Sequence, residues 1–251
     1  MARKKNLSAN DLEDVSIWED QTQISTIIRN SKVNLNDIPV RVKCLNEKQK
    51  ELKKAIEEKE IIISIGPAGT GKTYISLKTA LHILKTQPQY RRIVLIKSLE
   101  VIKGEETGFL PGTLREKMEP YMHSYTGNLD KIFGDRSTGN KLMDAGVIVV
   151  EPIAFIRGNT LDNDIVIIDE TQNIDIHTFK TIISRIGRSS KMLFLGDVEQ
   201  IDRKYVKTSC LAKVFEAFKD KDYIGSIEFL NEDCVRNEII PVVLDVIKTI
   251  E

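Results

Sequence analysis

The chain has 251 residues, of which 41% are hydrophobic and 29% are charged, and its 37 basic residues balance 37 acidic ones. This composition predicts a folded protein with a hydrophobic core, organised as one domain with or without an extension. The balanced charge excludes an overall basic footprint for nucleic acid or a membrane surface, but it leaves room for a local groove. Apolar runs all fall short of the roughly 18 residues that a membrane span needs.

The three cysteines, Cys44, Cys210 and Cys234, are far apart in the sequence and form no CxxC pair or Cys/His cluster. Their number and spacing argue against a disulfide framework or a zinc site. The basic start Arg3-Lys4-Lys5 is not followed by an apolar stretch, so it is not a signal peptide. We therefore expect a cytoplasmic protein in a reducing compartment.

Residues 1–40 form a polar N-terminal extension ahead of a domain that we place at residues 41–251. The extension nevertheless contains Trp18 and three isoleucines, Ile24, Ile27 and Ile28, at helical spacing. Two interpretations stay open for it: a short helix that docks on the core or on a neighbouring subunit, or a partly disordered tail.

Residues 44–60 have the pattern of an amphipathic helix, with Leu45, Leu52 and Ile56 expected to face inward. Gln49 lies on this helix, just before a glycine-rich turn. A glutamine in that position can donate and accept a hydrogen bond at an adenine edge. By position alone, an ordinary surface glutamine is the alternative.

The next stretch, IIISIGPAGTGKT at residues 61–73, contains the phosphate-loop pattern G-x-x-x-x-G-K-[ST]. Its glycines allow the backbone to curl, so that N–H groups converge on phosphate oxygens. Lys72 is expected to bridge the outer phosphates, and the Thr73 hydroxyl to bind Mg²⁺. The predicted nucleotide-binding residues are Gly66, Pro67, Ala68, Gly69, Thr70, Gly71, Lys72 and Thr73.

The surroundings of this loop fit the motif. Residues 61–65 are apolar β-formers and predict a buried strand, while residues 74–84 predict an amphipathic helix. A glycine-rich turn without a ligand is the alternative, but the order strand, turn and helix favours phosphate binding.

The middle of the chain combines short apolar runs with turn-rich segments. Strands are predicted at residues 92–96 and 147–150, a helix at 114–125 and a polar loop at 128–144. The GFLPG sequence at residues 108–112 is placed in a turn-rich segment.

A second anchor is DIVIIDE at residues 164–170, a continuous apolar run that ends in Asp169 and Glu170. Such a run is typical of a strand buried on both faces, whose carboxyl end is where an open α/β sheet places its ligands. Asp169 is therefore expected to hold the Mg²⁺ and its water shell beside Thr73. Glu170 is expected to orient and deprotonate the attacking water.

The remaining elements are predicted by the same criteria: helices over residues 178–186, 211–218 and 239–250, and strands over 191–196 and 224–230. Gln200 follows the strand at 191–196 and is a candidate sensor of a γ-phosphate. Arg236 precedes the last helix and is a candidate phosphate contact, with a surface arginine as the equal alternative. The alternation of strands and helices predicts an α/β fold with a mostly parallel sheet flanked by helices.

Six sequence blocks occur in the order of a known family: GPAGTGKT, GEETGFLPG, AFIRGNTL, DETQN, SRIG and GDVEQID. From about residue 40 onward the chain resembles the PhoH family of P-loop ATPases, which is similar to the core of superfamily 1 helicases. The resemblance implies a RecA-like fold, ATP and Mg²⁺ as cofactors, and the following roles: adenine recognition by Gln49, phosphate and metal binding by Lys72 and Thr73, metal binding by Asp169, catalysis by Glu170, γ-phosphate sensing by Gln200 and phosphate contact by Arg236.

Members of the family resemble ring-forming oligomers, often hexamers. The resemblance therefore implies a homo-oligomer in which Arg157 or Arg185 serves the ATP of a neighbouring copy. The chain departs from the family at two places, with Lys97-Ser98 where Arg-Pro is usual and Asn237 where histidine is usual. It also carries no counterpart of the RNA-cleaving PIN domain fused to some relatives, so we expect no nuclease activity from such a domain.

Three functional hypotheses follow from the sequence. The first is an ATPase that acts on RNA or single-stranded DNA as a helicase-like remodeller, and the glutamate beside Asp169 favours an enzyme. The second is a nucleotide-gated oligomeric switch or assembly protein that does not unwind nucleic acid. The third, a small-molecule kinase, ranks last because the polar segment at residues 128–139 offers a single arginine, Arg136.

Overall fold

Six parallel strands form the frame of the part of the chain that the structure describes. The computed structural model describes Leu35, Ile38, residues 40–97, 125–156, Gly158, residues 160–237, Ile239, Val242, Val243 and Val246. The strands are β1 (Ile61–Ile65), β2 (Arg92–Lys97), β3 (Ile148–Pro152), β4 (Asp164–Asp169), β5 (Lys191–Gly196) and β6 (Ile224–Glu228). Their order in the sheet is β3-β2-β4-β5-β1-β6, and every neighbouring pair is parallel.

Helices connect these strands and cover both faces of the sheet. They are α1 (Glu47–Glu58), α2 (Lys72–Thr86), α3 (residues 125–133), α4 (Ser137–Asp144), α5 (Ile153–Ile156), α6 (Ile176–Ile183) and α7 (Leu211–Phe218). Two short 3₁₀ turns follow β4 and β6, at Thr171–Asn173 and Asn231–Asp233. The predicted α/β class, a RecA-like P-loop NTPase with a mostly parallel sheet flanked by helices, is confirmed.

The sheet separates two hydrophobic clusters because alternate side chains of each strand point to opposite faces. One cluster packs α1, α2, α3 and α4 against one face of the sheet. The other packs α6 and α7 against the opposite face. Leu35 and Ile38 also contact the first cluster, and the Ile38 carbonyl accepts a hydrogen bond from Lys85 Nζ at 3.0 Å. The described residues just before the predicted domain boundary are thus attached to the core.

The prediction of a polar loop at residues 128–144 is wrong, because this segment contains most of α3 and all of α4. The two helices bury only a few apolar side chains, among them Leu129, Ile132 and Leu142. The turn between them is held by Asp135, whose carboxylate accepts bonds from the backbone N–H groups of Thr138 and Ser137. These bonds, with that from Thr138 N–H the largest influence, lower the pKa of Asp135 to about 2. Short helices with such narrow apolar faces give a weak periodic signal.

The inward orientation predicted for Leu45 is also wrong, since this side chain is 63% exposed. The helix begins at Glu47 with Asn46 as its N-cap, so Leu45 precedes the first turn and does not follow helical periodicity. Leu52 and Ile56, inside the helix, are fully buried as predicted.

Several predictions fall outside the described residues. These are the extension before Leu35, the turn-rich segment from Ser98 onward with its GFLPG sequence, and the helix at 114–125 apart from Tyr125. Of the final predicted helix, the four described residues are helical. Within the described ranges, the helices all fall short of the length and apolarity that crossing a membrane requires.

A charged cluster stabilises the amino edge of the sheet. Asp164, the first residue of β4, is fully buried and accepts hydrogen bonds from Arg91 Nε at 2.8 Å and Arg92 Nε at 3.1 Å. Its backbone N–H donates to Ser190 Oγ at 3.1 Å. Because both arginines are partly exposed, the cluster is a partly buried ion network rather than a dry one.

We expect Asp164→Ala to lower the free energy of unfolding by about 3 kcal/mol, because it leaves two partly buried guanidinium groups without their shared carboxylate. Urea denaturation measures the change as a lower midpoint at an unchanged slope. Glu151→Ala is the control, since its carboxylate lies 4.0 Å from Arg92 and a pair of that kind contributes below about 1 kcal/mol. Equal losses for the two variants would contradict a central role for Asp164.

Candidate active site

Three strands that end side by side define the candidate site. β5 lies between β1 and β4 in the sheet, so the loop after β5 comes between the phosphate loop and the acidic pair. Adjacent strands are roughly 4.8 Å apart, which places the three loops within about 10 Å of one another. This is the carboxyl edge of a parallel sheet, where α/β proteins bind their ligands.

The phosphate loop is tightly curled around its own lysine. Gly66 has a φ of 137°, and a Cβ there would lie 2.4 Å from the Phe229 carbonyl oxygen, so no side chain fits. Thr70 Oγ1 donates to the Pro67 carbonyl at 3.0 Å, and Lys72 Nζ donates to the same carbonyl at 2.8 Å. α2 begins at Lys72, so the positive end of its dipole faces the loop. The loop therefore has the form that binds phosphate in other proteins.

Two opposing influences act on the pKa of Lys72. Burial lowers its pKa, while the carboxylates of Asp197, Asp169 and Glu170 act in the opposite direction. Lys72 and these three acidic residues line the same cavity.

Residues outside the phosphate loop brace it from two sides. Gln49 is a residue of α1. Its Nε2 donates to the Thr70 carbonyl at 2.9 Å, and its Oε1 accepts from the Leu45 N–H at 2.8 Å. On the other side, the Val235 N–H donates to the Gly69 carbonyl at 3.0 Å. Gln49 therefore lies beside the site as predicted, with both ends of its amide bonded to backbone, and its contact with adenine stays a prediction.

A further bond ties the two braces together. Asn46, the N-cap of α1, donates from Nδ2 to the Asp233 carbonyl at 3.0 Å, and its Oδ1 accepts from the Gln49 N–H at 2.8 Å. We call residues 233–236 the C-terminal strap. The strap, the N-terminal end of α1 and the phosphate loop form one connected unit.

Thr73 and Asp169 meet across the site. The Thr73 hydroxyl lies 3.2 Å from Asp169 Oδ2 and 3.4 Å from Oδ1. Burial raises the pKa of Asp169 to about 6, and the negative charge of Glu170 acts in the same direction. A cation between these oxygens would favour the ionised carboxylate.

These two side chains fit a Mg²⁺ ion, which prefers oxygen ligands and keeps waters or substrate phosphates in its other positions. Among the described residues, no group of three or more His, Cys, Asp or Glu side chains could hold a metal by itself. An ion bound here would therefore depend on Thr73, Asp169 and the oxygens of a nucleotide and water.

Glu170 has a backbone conformation that is unusual for a residue with a side chain. Its φ is 57°, in the left-handed region, and it precedes the 3₁₀ turn Thr171–Asn173. Such a conformation costs of order 1–2 kcal/mol and is enriched at functional sites. Its carboxylate accepts a hydrogen bond from Gln172 Nε2 at 2.7 Å.

Gln200 and Arg236 enter the site from the loop after β5 and from the C-terminal strap. Both are exposed, and both line a cavity of about 370 Å³ together with Gln49, Lys72 and Glu170. The remaining lining residues at the phosphate end are Ala68, Gly69, Gly71, Thr73, Asp169, Gly196 and Asp197. The predicted site residues thus converge, since Pro67 and Thr70 belong to the same loop and Gly66 begins it.

Sequence reasoning missed two residues of this site. Asp197 is 7% exposed and accepts a hydrogen bond from the Ala68 N–H at 3.1 Å, so it holds the phosphate loop against β5. Gln172 is 2% exposed and contacts Glu170. The signal for Asp197 was present, because an aspartate directly after an apolar strand is the same pattern that identified Asp169.

Arg185, one of the two arginines suggested for a neighbouring copy, does not line this cavity. Arg185 precedes the turn before β5, at the amino edge of the sheet, and its backbone carbonyl accepts from the Leu161 N–H at 2.9 Å. Its side-chain Nε is buried and makes no hydrogen bond within the described part of the chain. Arg157 lies outside the described residues.

Residues 41–248 match the family model described as PhoH-like protein. The chain belongs to the PhoH family. The matched range contains all of the site residues named above, from Gln49 to Arg236.

Several curated proteins with PhoH in their names are similar to this chain. A PhoH-like protein of Bacillus subtilis (strain 168) is 38% identical over 206 residues, which cover 82% of this chain and 63% of the relative. A PhoH-like protein of Mycobacterium tuberculosis (strain ATCC 25618 / H37Rv) is 40% identical over 206 residues, 82% of this chain and 57% of the relative. Protein PhoH of Escherichia coli (strain K12) is 34% identical over 195 residues, 77% of this chain and 54% of the relative. The match therefore spans little more than half the length of these PhoH relatives.

Proposed function

We propose that this chain binds ATP together with Mg²⁺ and hydrolyses it to ADP and phosphate. The observation that carries the proposal is the position of Glu170, which lines the same cavity as Lys72, Thr73 and Asp169. A site that only binds nucleotide needs the lysine, the hydroxyl and one carboxylate. A second carboxylate at this place adds a base for water.

In this proposal each side chain has one task. Lys72 and the N–H groups of the phosphate loop bind the phosphate oxygens, and Thr73 and Asp169 hold Mg²⁺, which would neutralise charge on those oxygens. Glu170 takes a proton from water as the water oxygen forms a bond to the γ-phosphorus. The bond from that phosphorus to the bridging oxygen breaks, and ADP leaves with the electron pair. Gln200 and Arg236, which line the cavity, stabilise charge on the transferred group.

The experiment is steady-state phosphate release from ATP, with Glu170→Gln protein as the blank. We expect turnover that depends on Mg²⁺ and is lost in EDTA. Release by the wild-type protein that exceeds neither the Glu170→Gln protein nor the Lys72→Ala protein would overturn the proposal that this chain is an ATPase. The same assay with added single-stranded RNA or DNA tests the nucleic-acid substrate, because a motor or remodeller is stimulated by the strand on which it acts.

We also propose that the protein assembles as a homo-oligomer, with a hexameric ring as the arrangement expected from the family. The proposal rests on the resemblance to the family, and Arg185 cannot serve the nucleotide of its own chain, because it lies about one strand length, roughly 20 Å, from that cavity. An arginine at the opposite edge can approach a nucleotide only on another copy, through a head-to-tail interface. Specific activity that rises with protein concentration is the expected result, and a flat profile across the assembly range counts against it.

A second candidate function is a nucleotide-gated switch with slow turnover. The observation that favours it is the bond between the Val235 N–H and the Gly69 carbonyl, at 3.0 Å. A shift of the phosphate loop on nucleotide binding would be passed to the C-terminal strap and to the residues that follow it. ATP hydrolysis that depends on Glu170 but is not stimulated by nucleic acid would favour this candidate.

A further inference from the structure

Gln172 lies two residues after Glu170 and connects two loops of the site through one amide group. Its Nε2 donates to Glu170 Oε2 at 2.7 Å and to the Gln200 carbonyl at 3.3 Å. Its Oε1 accepts from the Asp197 N–H at 3.1 Å. The side chain is 2% exposed, so water does not compete for these bonds. Both ends of the amide are therefore used inside the protein.

The Glu170 carboxylate depends on this amide for its orientation. Within the described part of the chain, the Glu170 carboxylate accepts a single hydrogen bond, and Gln172 donates it. The backbone of Glu170 is fixed separately, by its left-handed φ and by the bond from its N–H to Asp169 Oδ1 at 3.1 Å. The backbone bond fixes the position of the Glu170 main chain, and the bond from Gln172 fixes the orientation of the carboxylate.

The place of the amide is itself determined by close packing against the end of β5. A Cβ on Gly196 would lie 2.8 Å from Gln172 Oε1 and 2.5 Å from Leu211 Cδ2. The glycine therefore allows the amide to lie against the strand end. Gln172 has little room for another position.

We infer that Gln172 is a positioning residue that holds the Glu170 carboxylate in register with the loop at residues 197–200. The inference rests on the proposed ATPase function, because its purpose is to align the base with the γ-phosphate end of the site. Gln172 does not line the cavity. It acts through Glu170 and through the backbone of Gln200.

The test is Gln172→Met, which keeps the length of the side chain and removes its hydrogen-bonding groups. We expect kcat for ATP hydrolysis to fall by roughly 10- to 100-fold, since misplacement of a catalytic group by about 1 Å has an effect of this size. The KM for ATP and the Kd for a non-hydrolysable analogue should stay within about threefold, because Gln172 makes no direct bond to the phosphate loop and the Asp197 carboxylate that holds the loop is unchanged. A Kd that weakens in parallel with kcat would show that Gln172 only maintains the fold of the site.

Asn173 offers a matched control in the next position of the chain. Its Nδ2 donates to Asp202 Oδ2 at 2.9 Å, and its Oδ1 accepts from the Asp202 N–H at 3.1 Å. Its side chain therefore joins the same two loops as Gln172 without contacting the Glu170 carboxylate; its backbone N–H bond to the Glu170 carbonyl, at 3.1 Å, is kept in an alanine variant. We expect Asn173→Ala to keep kcat within about twofold of the wild-type value. Equal losses in the two variants would mean that loop tethering alone matters, and the inference would be overturned.

A second variant keeps the test decisive if Gln172→Met is poorly folded. Gln172→Glu retains the volume and the acceptor for the Asp197 N–H, and at an alkaline pH that keeps both carboxyl groups ionised it cannot donate to Glu170 and repels it. We expect kcat to fall at least as far as in Gln172→Met. If both variants hydrolyse ATP as fast as the wild-type protein, the role of Gln172 is refuted and the ATPase proposal stands. If the wild-type protein itself does not hydrolyse ATP, both proposals fail.

Discussion

Replacing Glu170 by glutamine is expected to lower kcat for ATP hydrolysis by roughly 100- to 10,000-fold, the contribution of a positioned general base. Nucleotide binding should persist, because Lys72, Thr73 and Asp169 are unchanged. The local structure should also persist, since the amide oxygen of the new side chain can accept the hydrogen bond from Gln172. Single-turnover phosphate release and titration with a non-hydrolysable ATP analogue measure the two quantities separately.

Glu199→Gln is the control for this variant. Glu199 lies in the loop after β5 and is exposed, its backbone N–H donates to Asp197 Oδ1 at 3.0 Å, and it does not line the cavity. This variant removes the same charge from the same region without removing the proposed base. If Glu170→Gln hydrolyses ATP at the wild-type rate, another group must activate the water.

Replacing Lys72 by alanine is expected to weaken the binding of Mg²⁺ and ATP by at least about 100-fold. Hydrogen bonds to a charged group contribute about 1.5–3 kcal/mol each, and about 1.4 kcal/mol corresponds to a factor of ten in Kd. Lys72 also donates to the carbonyls of Gly66 and Pro67, so its loss loosens the loop as well as removing a charge. Calorimetric titration with a non-hydrolysable analogue gives the Kd directly.

Lys78→Ala tests whether the loss is specific. Lys78 lies on the same helix but does not line the cavity, and its ammonium group donates at 2.9 Å to the hydroxyl of Tyr74, which does. We expect this variant to bind nucleotide with the wild-type Kd. Unchanged affinity in the Lys72→Ala protein would disprove the assignment of this lysine to the phosphates.

The strands and the phosphate loop were predictable because their signals are local. β1, β2, β4 and β5 are almost entirely buried, so each appears in the sequence as a short apolar run, interrupted in β1 by Ser64. The loop needs glycine at positions such as Gly66, where the backbone lies against Phe229, and that requirement is visible as a motif. The prediction of a parallel sheet followed from the alternation of these strands with helices.

The parts that could not be predicted depend on contacts between distant segments. Asp197 and Gln172 act at the site because the order of the strands places β5 between β1 and β4, and the sequence does not state that order. The pair α3 and α4 was missed because a short helix against the sheet edge needs few apolar residues, and Asp135 provides the turn chemistry that resembled a loop.

The brace between Asn46 and Asp233 joins residues that are 187 positions apart in the sequence. Non-local contacts of this kind form late, because the long intervening chain must be ordered before they add stability. During synthesis, the phosphate-loop motif therefore leaves the ribosome long before the strap that completes its surroundings. A nascent chain that ends before Asp233 carries the whole G-x-x-x-x-G-K-[ST] pattern without its brace, so we expect full nucleotide affinity only after the strap has been synthesised.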